Sequence, residues 1–351
     1  MPKERLHHFD LLKGVAIFLV VMGHVLTMCV RDIDGAVLFK IIARVHMPLF
    51  FFISGWFTWR DDRAPALGRR ALQLLLPMLV VSSLWILYFP ASGLGTPLDS
   101  TFPGLWSDVW KNGYWFTPVL FVIIALYAAV ARLMGRLRPA GCIALALAVW
   151  GALLALDFLA LPRTVSDALS LPLVSAFWPA FIFGVLSRRY RPGFDAVVRS
   201  SVCQTVALAA LAVTLYITAW PWEFGVSEFG VVLIQTLTHI CLAVVALGVF
   251  SAWAARAYAP ERSRPGRLAQ MWELLGRESL AIYLLHYFFL FPMGWARPWL
   301  EATHLSVVAC AAFSVFWAAL ITAAVLLTVA FIRPSRLLSL LLTGSPAPSR
   351  K

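Results

Sequence analysis

The sequence predicts an all-α protein that crosses a membrane about ten times, with both termini on the cytoplasmic side. Three observations predict it. The 351 residues are 61% hydrophobic and 13% charged, with a mean hydropathy of +0.82; a soluble domain averages about a quarter charged residues. Long apolar runs recur along the whole chain, the mark of a polytopic helical protein. The basic residues alternate with these runs. The net charge of +12 therefore speaks for membrane topology and not for nucleic acid, which would call for one basic groove or tail.

Ten segments are expected, at 12–30, 36–59, 67–90, 114–133, 140–159, 170–187, 201–220, 229–255, 279–298 and 304–332. Each is long enough to cross about 30 Å of hydrocarbon with some tilt. The first carries Asp10 and Lys13 at its entrance and His24 beyond ten uncharged residues. Lys13 and His24 are eleven apart, so on a helix they share a face and lie about 16 Å apart along the axis. Asp10 and Arg31 fall on the same stripe. Ionisable groups at bilayer depth are costly and face a bundle interior, a cavity or a partner.

The second segment carries Arg44, His46, Pro48 and a Phe-rich run ending in Ser54-Gly55-Trp56. The third follows Arg69-Arg70, and the fourth opens at Tyr114-Trp115-Phe116 behind a Gly-, Pro-, Ser- and Trp-rich loop. The fifth and seventh are plain apolar runs. The sixth is the shortest and holds Pro172 and Pro179, tolerable where neighbours satisfy the freed backbone groups. The eighth carries Gln235 and His239 on one face, and the ninth Ser279, Tyr283 and His286 at i, i+4, i+7. The tenth completes the even count. Between the eighth and ninth lies a basic loop that ends in a short amphipathic stretch, Leu268 to Leu275.

The loops test the count. If odd segments run outward, 23 of the 29 basic residues fall on one side, leaving Arg31, Lys40, Arg44, Lys111, Arg163 and Arg297. The positive-inside rule makes that side cytoplasmic. The whole chain reads as one transmembrane domain, 1–351, with a retained first helix and no soluble domain. The five cysteines are scattered without metal-ligand spacing and read as small apolar residues.

His24, His46, His239 and His286 fall at similar depth in their segments. For His24 the alternative is a structural histidine bonded to a neighbouring helix; the polar stripe favours function. His286, beside Tyr283, is balanced between the two, and His46 and His239 read as structural or lining. A neutral histidine can take a hydroxyl proton and return it. Asp10 is too far along the helix to orient His24, so its expected partner is Lys13 at i+3. Membrane-end anchoring explains that pair equally well. Arg69 and Arg70 serve topology on charge alone, and could also grip phosphate. Ser54 has no identifiable base. Trp115 is an interfacial aromatic with sugar stacking as the functional option. No metal site is expected, because acids near the histidines are scarce.

These residues occur in a family order. Asp10-x-x-Lys13-Gly with His24 ten residues further on, Phe50-Phe-Phe-Ile-Ser54-Gly55-Trp56, Trp115-Phe116 and Gly276-x-x-Ser279-Leu-x-x-Tyr283-x-x-His286 together resemble the acyltransferase-3 family of integral membrane acyltransferases, in particular its fucose-4-O-acetylase-like branch. The resemblance implies transfer of an acyl group, usually acetyl, from cytoplasmic acetyl-CoA to a hydroxyl on an extracytoplasmic or lipid-linked carbohydrate, in the inner membrane. It implies that Lys13 and Arg70, with Arg69 beside it, hold the donor. The family's R-x-x-R motif is incomplete here, since Gln73 follows Arg70. His24 is then general base or transient acyl carrier, with His286 and Tyr283 completing the pocket. The implied partners are acyl-CoA, the glycan, membrane lipid and separate glycan-assembly proteins. The rival class is a proton-coupled exporter using the histidines as a relay, and a third is a non-catalytic scaffold.

Overall fold

A computed structural model describes residues 6–29, 36–60, 63–92, 101–259, 265–291 and 293–344, with the side chains of 89–92 excepted. Arg31 of the polar stripe lies outside the described residues. Every regular element among them is helical. In order they are α1 (His7–Cys29), α2 (Val37–Thr58), α3 (Leu67–Ser92), α4 (Gly104–Ser107), α5 (Phe116–Arg136), α6 (Pro139–Ala155), α7 (Arg163–Ala168) and α8 (Leu171–Arg189). Then come α9 (Arg191–Arg199), α10 (Ser201–Ala219), α11 (Glu228–Ala257), α12 (Arg267–Arg277), α13 (Ser279–Leu285), α14 (Arg297–Ala302), α15 (Val307–Ile332) and α16 (Arg336–Thr343). Nine helices among the described residues are long and apolar enough to span a membrane. This is a multi-pass membrane protein.

The ninth expected span, 279–298, is not one helix. α13 passes into a 3-10 turn at His286–Phe289, and a second 3-10 turn at Gly294–Ala296 leads to α14. Pro292, which lacks a backbone N–H and disfavours helix in the residue before it, is a sequence reason against one unbroken helix over 279–298. The two pieces, bent by 79°, bring the count to ten where they are taken as one broken span. The amphipathic stretch at Leu268 is the helix α12.

Two compact units divide the chain. One comprises Met1–Ile53 and Tyr190–Leu326, the other Ser54–Arg189 and Leu327–Lys351. In the first, α1 packs on α11, α12 and α13. It is the most enclosed span, with 67% of its apolar window buried against 28–61% for the others. Lipid gives helices no hydrophobic reason to associate, so close van der Waals contact must hold them. Gly14 provides it: a Cβ there would stand 2.0 Å from the Trp272 carbonyl oxygen, and one on Gly276 would stand 1.8 Å from that of Asp10. Around this crossing Leu11, Ala257 and Ala269 form a core under Phe250, Trp253, Tyr258 and Trp272. Gln204 Nε2 pins α10 to α11 by donating to the Val244 carbonyl at 3.0 Å. Ser200 and Ser227 cap α10 and α11 by accepting from Cys203 and Gly230 N–H groups.

In the second unit α3 packs on α5 and α16, and α6 on α8. Gly55 meets the Phe181 carbonyl of α8, where a Cβ would come within 1.9 Å. Arg189 donates to the carbonyls of Met134, Gly135 and Leu137, the last-turn acceptors that α5 cannot satisfy itself.

The five described basic residues that depart from the topological pattern have reasons of their own. Lys40 is buried between the rings of Trp220 and Trp222, 4.8 and 4.9 Å from their centroids. Arg44 donates to the Thr218 carbonyl, and Arg297 to that of Cys29 at 3.3 Å. Arg163 pairs with Asp167 at 3.1 Å. Lys111 heads three successive residues with positive φ and donates to the carbonyls of Trp106, Asp167 and Ala168 at 3.0, 3.3 and 2.8 Å. Burial pulls its pKa down, and Asp108 and Asp167 oppose this. These cations are spent on carbonyls, rings and one carboxylate, so they do not contradict a topology drawn from the rest.

Candidate functional site

The site is built on α1. At one end Lys13 Nζ lies 2.8 Å from Asp10 Oδ1, the i,i+3 pair expected from spacing. Both are half-buried, so the pair holds Lys13 while leaving its ammonium reachable. The chain of α12 crosses α1 here through Gly276 and turns at Glu278 into α13.

That turn carries α13 to His24. Three polar side chains meet there. His24 Nδ1 lies 2.9 Å from the Val20 carbonyl, one turn back on its own helix. His286 Nδ1 lies 3.0 and 2.8 Å from the Ile282 and Tyr283 carbonyls. A carbonyl only accepts, so both Nδ1 atoms carry the proton; the carbonyls assign these tautomers. His286 Nε2 is then an acceptor and sits 3.3 Å from His24 Nδ1. His24 Nε2 is also an acceptor, and the Tyr287 hydroxyl donates to it at 2.8 Å. The result is one directed chain from Tyr287 through His24 to His286 and the α13 carbonyls. His286 and Tyr287 are fully buried, whereas His24 is only partly enclosed.

Tyr287 was not a sequence candidate. Helical spacing puts Ser279, Tyr283 and His286 on one face, with Tyr287 100° from His286 but only 40° from Tyr283. The change to a 3-10 turn at His286 alters that register. Tyr283 contributes its carbonyl, and its ring centroid is 6.4 Å from that of His286. The i,i+4 spacing of Tyr287 from Tyr283 was the available signal.

His46, on α2, donates from Nδ1 to the Ile42 carbonyl, on a helix that meets α1 at Ile42. Gly23 helps, since a Cβ there would press on Ile42 at 3.3 Å. His239 is buried in α11, and Ser279 opens α13 half-buried. His24 forms its hydrogen bonds with neither.

The second unit holds the remaining candidates. Arg70 is half-buried, and Arg60 and Arg69 lie close enough to repel it. Ser54 accepts at its carbonyl from the Thr58 hydroxyl at 2.6 Å. Trp115 stacks on Phe177 at 5.4 Å and meets the edge of Trp110.

A family model described as an acyltransferase domain matches residues 6–333. The chain belongs to this acyltransferase family. Two curated relatives are both called nodulation protein NolL. That of Sinorhizobium fredii is 32% identical over 191 residues, covering 51% of this chain and 47% of its own. That of Mesorhizobium japonicum is 34% identical over 152 residues, covering 40% of each. The chain thus spans less than half the length of the relatives it matches. No solved structure matches. For a membrane acyltransferase, a histidine with a defined basic nitrogen inside the bundle is the notable chemical feature of the first unit.

Proposed function

We propose that this acyltransferase moves an acetyl group from cytoplasmic acetyl-CoA to a hydroxyl of an extracytoplasmic or lipid-linked carbohydrate, in the inner membrane. The observation that carries the reading is the hydrogen-bonded state of His24. Its Nδ1–H is fixed on the Val20 carbonyl, so Nε2 is its basic nitrogen. In the reaction Nε2 takes the acceptor's hydroxyl proton as the oxygen attacks the thioester carbonyl. The carbon–sulfur bond breaks, and the imidazolium returns the proton to the CoA thiolate. His286, behind Nδ1, steadies the charged ring.

The donor's phosphates call for cations. Arg70, crowded by Arg60 and Arg69, gains by the arrival of phosphate anions, and Arg matches their geometry. Lys13, oriented by Asp10, would supply a further cation about 16 Å along the helix from His24. Within the first unit His46, His239 and Ser279 would serve as lining; in the second, Ser54 would do so, and Trp115 offers a ring on which a sugar could stack. Separate glycan-assembly proteins would deliver or receive the carbohydrate.

The test uses purified protein in nanodiscs with labelled acetyl-CoA and a panel of oligosaccharides. General base catalysis is worth about 10²–10⁴-fold, so His24→Ala should lose that much of the acceptor-dependent CoA release at unchanged expression. Full transfer by His24→Ala would sink the mechanism.

A further inference from the structure

Resting on that reading, we infer that the Tyr287 hydroxyl is a stand-in for the acceptor, occupying the catalytic base whenever no carbohydrate is bound and thereby suppressing hydrolysis of the acyl donor. A transferase whose base lies in a partly open site faces a competitor in water. Water offers the same O–H as a sugar hydroxyl, and its attack on the thioester would yield acetate and CoA. Such an enzyme needs Nε2 covered until the correct hydroxyl arrives.

The geometry supplies that cover. The Tyr287 O–H meets His24 Nε2 at 2.8 Å, the distance at which an acceptor hydroxyl would donate. The opposite nitrogen is held by the Val20 carbonyl and faces His286 Nε2. Neither ring nitrogen of His24 is therefore open to water as the site stands. Tyr287 is fully buried, so its hydroxyl loses this acceptor, and Nε2 its donor, if His24 turns away. A carbohydrate hydroxyl can replace it one for one. Tyr287 also sits in a 3-10 turn, whose hydrogen bonding is poorer than that of an α-helix, which suits a contact that must yield. Tyr287 is thus a positioning and specificity residue acting through His24, and it forms no bond to the acyl group.

The experiment needs no knowledge of the acceptor. Acetyl-CoA alone is given to the full-length protein in nanodiscs, and acetate and CoA are measured together. Tyr287→Phe keeps the ring and removes the hydroxyl. Acceptor-free hydrolysis should rise by roughly two- to tenfold, the bias that one neutral hydrogen bond supplies. A rate at or below wild type overturns the inference. A site-specific fluorotyrosine at 287 covers the case in which Tyr287→Phe folds poorly. Its more acidic hydroxyl grips Nε2 harder, so hydrolysis should fall below wild type, and an equal or higher rate again refutes the role. The double variant His24→Ala/Tyr287→Phe separates the two readings. Return to the basal rate supports both, whereas a rise that survives loss of His24 means that His24 is not the base. If His24→Ala abolishes transfer while Tyr287→Phe leaves hydrolysis unchanged, only the stand-in role fails.

Discussion

Gly276→Ala tests whether the crossing of α1 and α12 sets the position of the histidine pair. The added Cβ would stand 1.8 Å from the Asp10 carbonyl oxygen and 2.7 Å from its carbon. Contacts under 3.0 Å are essentially never made by a real Cβ, so the backbones must part by at least 1.2 Å. Neither side can yield cheaply, because both contacting groups are helix backbone. The opposite glycine, Gly14, is equally close to Trp272. Overpacking of this kind costs about 1–3 kcal/mol. The displacement would pass on through Glu278 into α13, which carries His286 and Tyr287 to hydrogen bonds of 3.3 and 2.8 Å with His24. Neither bond survives a further ångström, and a misplacement of that size can cost about 10²-fold in rate. Thermal unfolding in detergent and acceptor-dependent CoA release would be measured side by side. Gly151→Ala is the control, since a Cβ there meets nothing within 4 Å and alanine favours helix. Wild-type melting and turnover in Gly276→Ala would refute the packing argument. A lowered melting point with full turnover would refute the link from crossing to site.

Two further outcomes follow from the same structure. Arg70→Gln should raise the KM for acetyl-CoA with little change in kcat, because its charge is proposed to hold the donor and not to act in the chemistry; an unchanged KM would remove it from the donor site. Lys111→Met should destabilise the loop by about 1–3 kcal/mol, since three carbonyls lose their donor. Faster proteolysis within 101–115 would report it, and wild-type resistance would argue against the anchor.

Much of this was legible in the sequence because membranes impose simple rules. A span must be long, apolar and helical, since lipid offers no hydrogen bonds, so the long helices could be read from hydropathy alone. The Asp10–Lys13 pair followed from i,i+3 spacing, a local property of one helix. The broken ninth span was harder. Most of 279–298 is apolar, and the backbone chemistry of Pro292 and Gly294 marks the interruption.

His24 and His286 could each be singled out as costly polar groups in apolar helices, yet they stand 262 residues apart. No periodicity connects them. Their meeting depends on Gly14 and Gly276 letting α12 seat against α1, which is a tertiary event. Tyr287 shows the same limit, because i,i+4 spacing sets it beside Tyr283 but does not say that its hydroxyl meets a histidine on another helix.

The sequence by itself determined the all-helical membrane architecture, the ordered family motifs and the residue types that could do chemistry, because hydropathy and spacing are local. Only the tertiary structure decided which histidine nitrogen is basic and which phenol covers it. The carbonyls that hold the Nδ1 protons lie one turn back on the same helices, but the histidine and phenol partners are brought to hydrogen-bonding distance from 262 and 263 residues away.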